Sequence, residues 1–314
     1  MRNTLQLIQA IAQSSTRPSR PPGPEPGFSV VKMIGELVQF VGIFLAIGAV
    51  GFRFGIVRRI RGMTNDARRI LQPDNAARLG ILGIVLILIS IVGIPYLQAA
   101  TSNKTLTDLL PRNLAPLKFK LGALGVGLVG FLLVRAKKPT IGWFLAAVGV
   151  VVAVLQPLYT GKTAGKVNAV HILAASTWLG TLLVLSIVGI RGLIRTVEPG
   201  SQRARLVADL VNSFSPLALT AATVVALSGA TTGWMHLKRI SALWTTSYGI
   251  ALMIKLVLVL IVVMLGAWNW KRVRPSLGEE GTEEKIRRSS TMELTFAALV
   301  LIVTSVLVTL PSPR

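Results

Sequence analysis

The chain has 314 residues, 52% of them hydrophobic, with a mean hydropathy of +0.65 and a formal net charge of +22. Charged residues make up 15%, well below the roughly 25% of soluble domains, so the composition excludes a soluble globular fold and describes a protein embedded in a bilayer. The excess of Lys and Arg does not indicate nucleic acid, because it lies in short connections between apolar runs and forms no single basic face; the absence of cysteine excludes disulfides, thiolate metal sites and thiol redox chemistry.

Residues 1–30 are polar and rich in proline, ending in RPSRPPGPEPG, and read as an extended or disordered tail. The apolar segment TLQLIQAIAQ within it is too short and too rich in glutamine for a signal-peptide core. Eight apolar stretches follow, each near the length of about 20 residues that a transmembrane helix needs. They run from Met33 to Val57, Leu79 to Gln98, Lys120 to Val134, Ile141 to Tyr159, Asn168 to Ile190, Asn212 to Trp234, Tyr248 to Asn269 and Met292 to Leu310. The expected fold is all-α, a polytopic membrane bundle of about eight helices, the first four within 31–160 and the last four within 161–314. The third stretch is the shortest, and its Gly122, Gly125, Gly127 and Gly130 predict close helix packing.

The connections after spans one, three, five and seven hold 19 Lys and Arg, and the remaining connections and tails hold 12. The positive-inside rule places the first set in the cytoplasm, which puts both termini outside. The GEEGTEEK run before the eighth span reads as a solvated cytoplasmic loop.

Polar residues in the later spans recur at intervals of seven or its double: His171 and Trp178, then Ser215, Gly229 and His236, then Tyr248, Lys255 and Asn269. Seven residues are two helical turns, so each set lies on one helix face. Hydrocarbon cannot satisfy polar groups, so these faces must turn toward protein or a cavity.

His171 opens the fifth span and His236 follows the sixth, which places the only two histidines of the chain near the outer face. Met235 adjoins His236, Met33 begins the first span on the same side, and Met253 lies a little deeper. Imidazole and thioether together suit Cu(I), so an outer copper site is one reading. Histidines that merely bond a backbone carbonyl at the interface are another, and axial ligation of a haem b is a third.

Lys255 lies deep in the seventh span, where a cation costs roughly 2.5 to 3.5 kcal/mol; it reads either as a cap on a neighbouring helix or as an electrostatic gate. Arg53 and Glu293 are expected at the same inner level and could pair, and Glu36 is level with the outer histidines. Ser215 and Pro216 predict a kink or an opening turn of the sixth span. There is no HExxH, Walker lysine loop or GxSxG elbow, so no enzyme is expected.

Five ordered segments, HILAASTWLG from His171, FSPLAL from Phe214, LSG ending at Gly229, TSYGIALMIKLVLV from Thr246 and the Gly266 to Asn269 motif, followed by Glu293 and a terminal LVTLP, resemble the copper resistance protein D (CopD) family over residues 168–311. GELVQFVGIFLAIGAVGFRF in the first span is similar to the glycine-rich opening of that family. His171, Trp178, Gly180, Ser215, Gly229, Tyr248, Gly249, Lys255, Asn269 and Glu293 fall on its pattern. The resemblance implies an inner-membrane protein of bacteria or archaea that takes part in copper transport beside a periplasmic copper-binding CopC protein. On that reading His171, His236, Met235 and Met33 would meet the ion outside, and the stripe from Trp178 to Glu293 would line the pathway or pack it.

Overall fold

The computed structural model describes residues 29–58, 60, 73–101, 113–237, 239–269, 271 and 282–310. The proline-rich tail through residue 28 and most of the acidic run before the last helix lie outside these residues. Among the described residues there is no strand. Seven helices are long and apolar enough to cross a membrane. We label them, with one shorter helix, α1 (Val30–Val57), α2 (Asp74–Ala100), α3 (Ala115–Arg135), α4 (Pro139–Leu155), α5 (Thr163–Thr196), α6 (Ser201–Leu237), α7 (Ser247–Trp268) and α8 (Thr282–Thr309). The molecule is a polytopic bundle of membrane helices.

The shortest apolar helix is α4, not α3. At 1.5 Å per residue, 17 residues reach about 25 Å against a hydrocarbon core of about 30 Å. A further turn, Pro157–Thr160, continues the chain beyond α4. The third span extends to 21 residues because Ala115 to Phe119 wind onto its front. Proline in the first turn costs no helical hydrogen bond, and Pro116 and Pro139 occupy such positions. Oxygen caps start two other helices: Ser29 Oγ accepts from Lys32 N–H at 3.3 Å, and Thr246 Oγ1 accepts from Gly249 N–H at 3.0 Å. Between α3 and α4, Lys137 adopts φ of 61°, and Lys138 N–H donates to Leu133 carbonyl at 2.9 Å, closing a tight reversal.

Lipid supplies no hydrophobic force between helices, so close contact must come from small residues. α3 and α4 interlock through Gly127 and Gly130 against Gly149, Ala146 and Gly142, where a methyl group on any of the four glycines would crowd the facing helix. Gly122 and Gly125 face open space instead. Only two of the four glycines expected to pack α3 do so.

α1 packs on α2, α4, α5 and α8. Its central stretch is 61% buried, as is that of α5, whereas that of α7 is 11% buried. Thus α1 and α5 form the axis of the bundle and α7 stands at its edge, leaning on α8. One apolar cluster, with Phe44, Phe52, Phe131, Trp143, Trp178, Leu185 and Leu210, runs through this axis. Ser90 Oγ on α2 donates to Gly35 carbonyl on α1 at 2.8 Å, which satisfies a hydroxyl that lipid could not. Four short stretches wind as π-helix, at Phe52–Val57, Ile89–Gly93, Ser176–Gly180 and Leu185–Ile190.

The sixth span neither opens nor breaks at Pro216: α6 runs through it for 37 residues. Ser215 Oγ donates back to Val211 carbonyl at 2.9 Å, and Thr220 Oγ1 to Pro216 carbonyl at 2.9 Å. Such back-bonds occupy carbonyls around a residue that lacks an amide hydrogen.

Candidate functional site

The polar residues of α5 to α8 gather at three levels. Lowest in the count of turns from the start of α7 is His236, in the last turn of α6, whose ring lies parallel to Tyr248 with centroids 6.2 Å apart and planes 15° apart. Leu237, Ala242, Tyr248, Ala251 and Leu307 form a small apolar cluster around this pair, separate from the main core. His236 Nδ1 is 2.8 Å from Thr232 carbonyl. A carbonyl only accepts, so Nδ1 carries the proton and Nε2 of the neutral ring keeps its lone pair.

Two turns further into α6, about 10 Å along its axis, stands His171 of α5. Its Nδ1 is 3.1 Å from both Val225 carbonyl and Ser228 Oγ. Ser228 Oγ already donates to Val224 carbonyl at 2.5 Å, so both partners are acceptors and Nδ1 is again the donor. Nε2 of His171 is left as the free ligating atom. Gly229 makes room for the ring, since a Cβ there would lie 3.0 Å from His171 Cε1. The charge of Lys255 on α7 acts on the His171 ring. Among the described residues Lys255 makes no hydrogen bond or ion pair.

At the far end of α7, Asn269 donates to the Glu293 carboxylate and accepts from Ser289 Oγ, both on α8. Glu293 is buried, at 7% exposed. The expected Arg53–Glu293 pair is not formed: the amide of Asn269 takes the carboxylate instead. Removing that donor leaves a buried carboxyl group unpaired, at a cost of about 1–3 kcal/mol. Asn269→Leu should therefore lower the melting temperature in detergent, while Ser289→Ala should lower it less.

Trp178 is buried in the axis and Gly180 meets α1, where Gly48 and Phe44 approach so closely that neither glycine has room for a side chain. Both are packing positions. Met235 is 37% exposed and points away from His236, one residue step round the helix being 100°. Met33 is half-buried in the first turn of α1. Neither methionine takes part in the His236–Tyr248 or His171–Ser228 contacts. Glu36 interacts with Lys32 and Lys120 and not with the histidines. Among the described residues, no three His, Cys, Asp or Glu side chains are close enough to hold a metal together.

The hydroxyls of Ser228 and Ser289 and the carbonyls of Val225 and Thr232 escaped the sequence reading. Ser228 adjoins Gly229, and Ser289 lies one turn before Glu293 on the same face, so the i to i+4 spacing was the available signal for the latter. A cavity of about 200 Å³ lined by Gln39, Lys120, Gln156 and Asn168, among apolar residues, also lies outside that reading.

Two comparisons with known proteins bear on this geometry. Residues 208–307, from α6 to α8, match the family model described as Copper resistance protein D. Over this segment, about a third of its length, the chain is similar to the copper resistance protein D family. The CopD segment holds Gly229, His236, Tyr248, Lys255, Asn269 and Glu293, while His171 reaches it from α5. The chain is also 31% identical over 153 residues to the Copper transport protein CutJ of Bacillus subtilis (strain 168), an alignment that covers 48% of this chain and 26% of CutJ. The chain thus spans about a quarter of the length of that curated relative. No solved structure matches.

Proposed function

We propose that this protein moves copper ions across the cytoplasmic membrane in copper homeostasis or resistance, with His236 and His171 as successive stations at the extracytoplasmic end. One observation carries the reading. Each imidazole gives its Nδ1 proton to a backbone carbonyl, so each presents an Nε2 lone pair inside a membrane bundle. Neutral imidazole in that state is a ready ligand for Cu(I) or Cu(II). The match of the CopD segment, and the copper named in the description of CutJ, support the choice of metal.

The absence of a three-ligand cluster among the described residues suits a transported ion, which must leave each station as readily as it arrives. Copper is cargo here rather than a resident cofactor. Met33 and Met235 lie at the same end, apart from the histidine contacts, and offer thioethers to the arriving ion before it reaches His236. Lys255 sits at the level of His171, where its positive charge opposes long residence of a cation and so acts as a gate. Asn269 and Glu293 form the inner end of the route. Both termini are placed outside, which lets a periplasmic CopC-like protein deliver or receive the ion. The protein has no catalytic role in this account.

Copper content of the purified chain tests the reading. Wild type loaded with Cu(I) should retain metal that His171→Ala and His236→Ala lose; equal retention by both variants would remove these histidines from the route. A haem Soret band in the purified protein would favour the haem reading instead.

A further inference from the structure

A second cavity, of about 400 Å³, lies between α5 and α8 at the end of the bundle opposite to His236. Its rim carries Arg191, at the C-terminal part of α5, and Arg287, at the start of the membrane stretch of α8; both are exposed. Four hydroxyls, Ser186, Ser290, Thr291 and Thr295, are spread along its lining. Between them the wall is apolar, formed by Leu183, Ile187, Ile190, Leu294 and Ala298. Ile187 is 39% exposed, so the groove opens sideways to the bilayer.

The groove carries two cations at one end and, beyond them, a largely apolar wall interrupted by hydroxyls. It mirrors an anionic phospholipid read from headgroup to acyl chain. Guanidinium groups recognise phosphate through paired N–H donors, and basic pockets between membrane helices hold acidic headgroups. We propose that this groove is a binding site for one anionic phospholipid, its phosphodiester held between Arg191 and Arg287 and an acyl chain lying along Ile187 and Leu294. The lipid wedges α5, the axis of the bundle, against α8 of the CopD segment. This site is separate from the histidines and does not depend on the copper reading.

Native mass spectrometry of the full chain in mild detergent, titrated with phosphatidylglycerol, phosphatidylcholine or inorganic phosphate, tests the proposal. Wild type should retain phosphatidylglycerol over phosphatidylcholine, with a preference of roughly fivefold for each arginine engaged. Arg191→Gln with Arg287→Gln should bring the two lipids level, whereas Lys118→Gln with Lys166→Gln, exposed at the opposite end, should leave the preference unchanged. Arg191→Gln alone gives the same reading at smaller amplitude if the double variant is not monodisperse. Equal retention of both lipids by wild type would overturn the proposal. So would a preference that survives Arg191→Gln, or competition by millimolar inorganic phosphate that displaces no lipid yet fills the site.

Discussion

Gly180→Leu is expected to abolish recovery of a monodisperse protein from the membrane. Gly180 on α5 and Gly48 on α1 face each other where a Cβ at either position would penetrate the backbone of the other helix. The obstacle is main chain, which cannot rotate away as a side-chain tip can. Overpacking a core costs about 1–3 kcal/mol even where side chains can adjust, and here the two axial helices would have to separate. Their separation would open the cluster that contains Phe44, Trp178 and Leu185. Size-exclusion chromatography after mild solubilisation measures the effect. Gly122→Leu serves as the control, since nothing lies within 4 Å of a Cβ there, and it should elute as wild type does. A Gly180→Leu protein that elutes like wild type would show that α1 and α5 do not meet at these glycines.

On the proposed route, Gly229→Leu should silence copper transport as completely as His171→Ala, with the protein still folded. A Cβ at position 229 meets the His171 ring at 3.0 Å, and a leucine side chain would fill the place the imidazole now occupies. The ring would then lose its bonds to Val225 carbonyl and Ser228 Oγ, and with them the tautomer that presents Nε2. Gly229 is otherwise only half-buried on a helix that tolerates a longer side chain on its lipid side. Folding and transport are therefore expected to part company: wild-type elution together with lost copper binding. Gly229→Leu that retains copper would place the metal away from His171.

The fold was legible in the sequence wherever apolar length decides it. Every expected span has a helix, because in hydrocarbon a chain has no other way to satisfy its backbone. The ends of α3 and α4 were not legible, since Pro116 and Pro139 can start a helix as well as stop one. Of the candidate residues that the spacing by seven brought out, His171 meets Val225 of α6, His236 meets Tyr248 and Asn269 meets Glu293, contacts that single-helix periodicity cannot specify. Partner hydroxyls were hidden for a physical reason. Most Ser and Thr in these helices bond their own backbone four residues back, as Thr223 and Thr231 do. Nothing local marks Ser228 or Ser289 as different. Glu293 was assigned to Arg53 by depth alone, and depth does not say which neighbour faces it; Asn269 does. The deeper seat of His171 was obscured in the same way, by the first turns of α5 wound from Thr163 onward.

Cell-associated copper, measured in cells that carry the wild-type chain, His171→Ala, His236→Ala or no chain, bears most directly on the proposed route. The account predicts that the wild-type chain shifts copper content away from the empty control and that each alanine variant, expressed at equal level in the membrane, returns it to the control value. Copper levels in both variants that match wild type would contradict it.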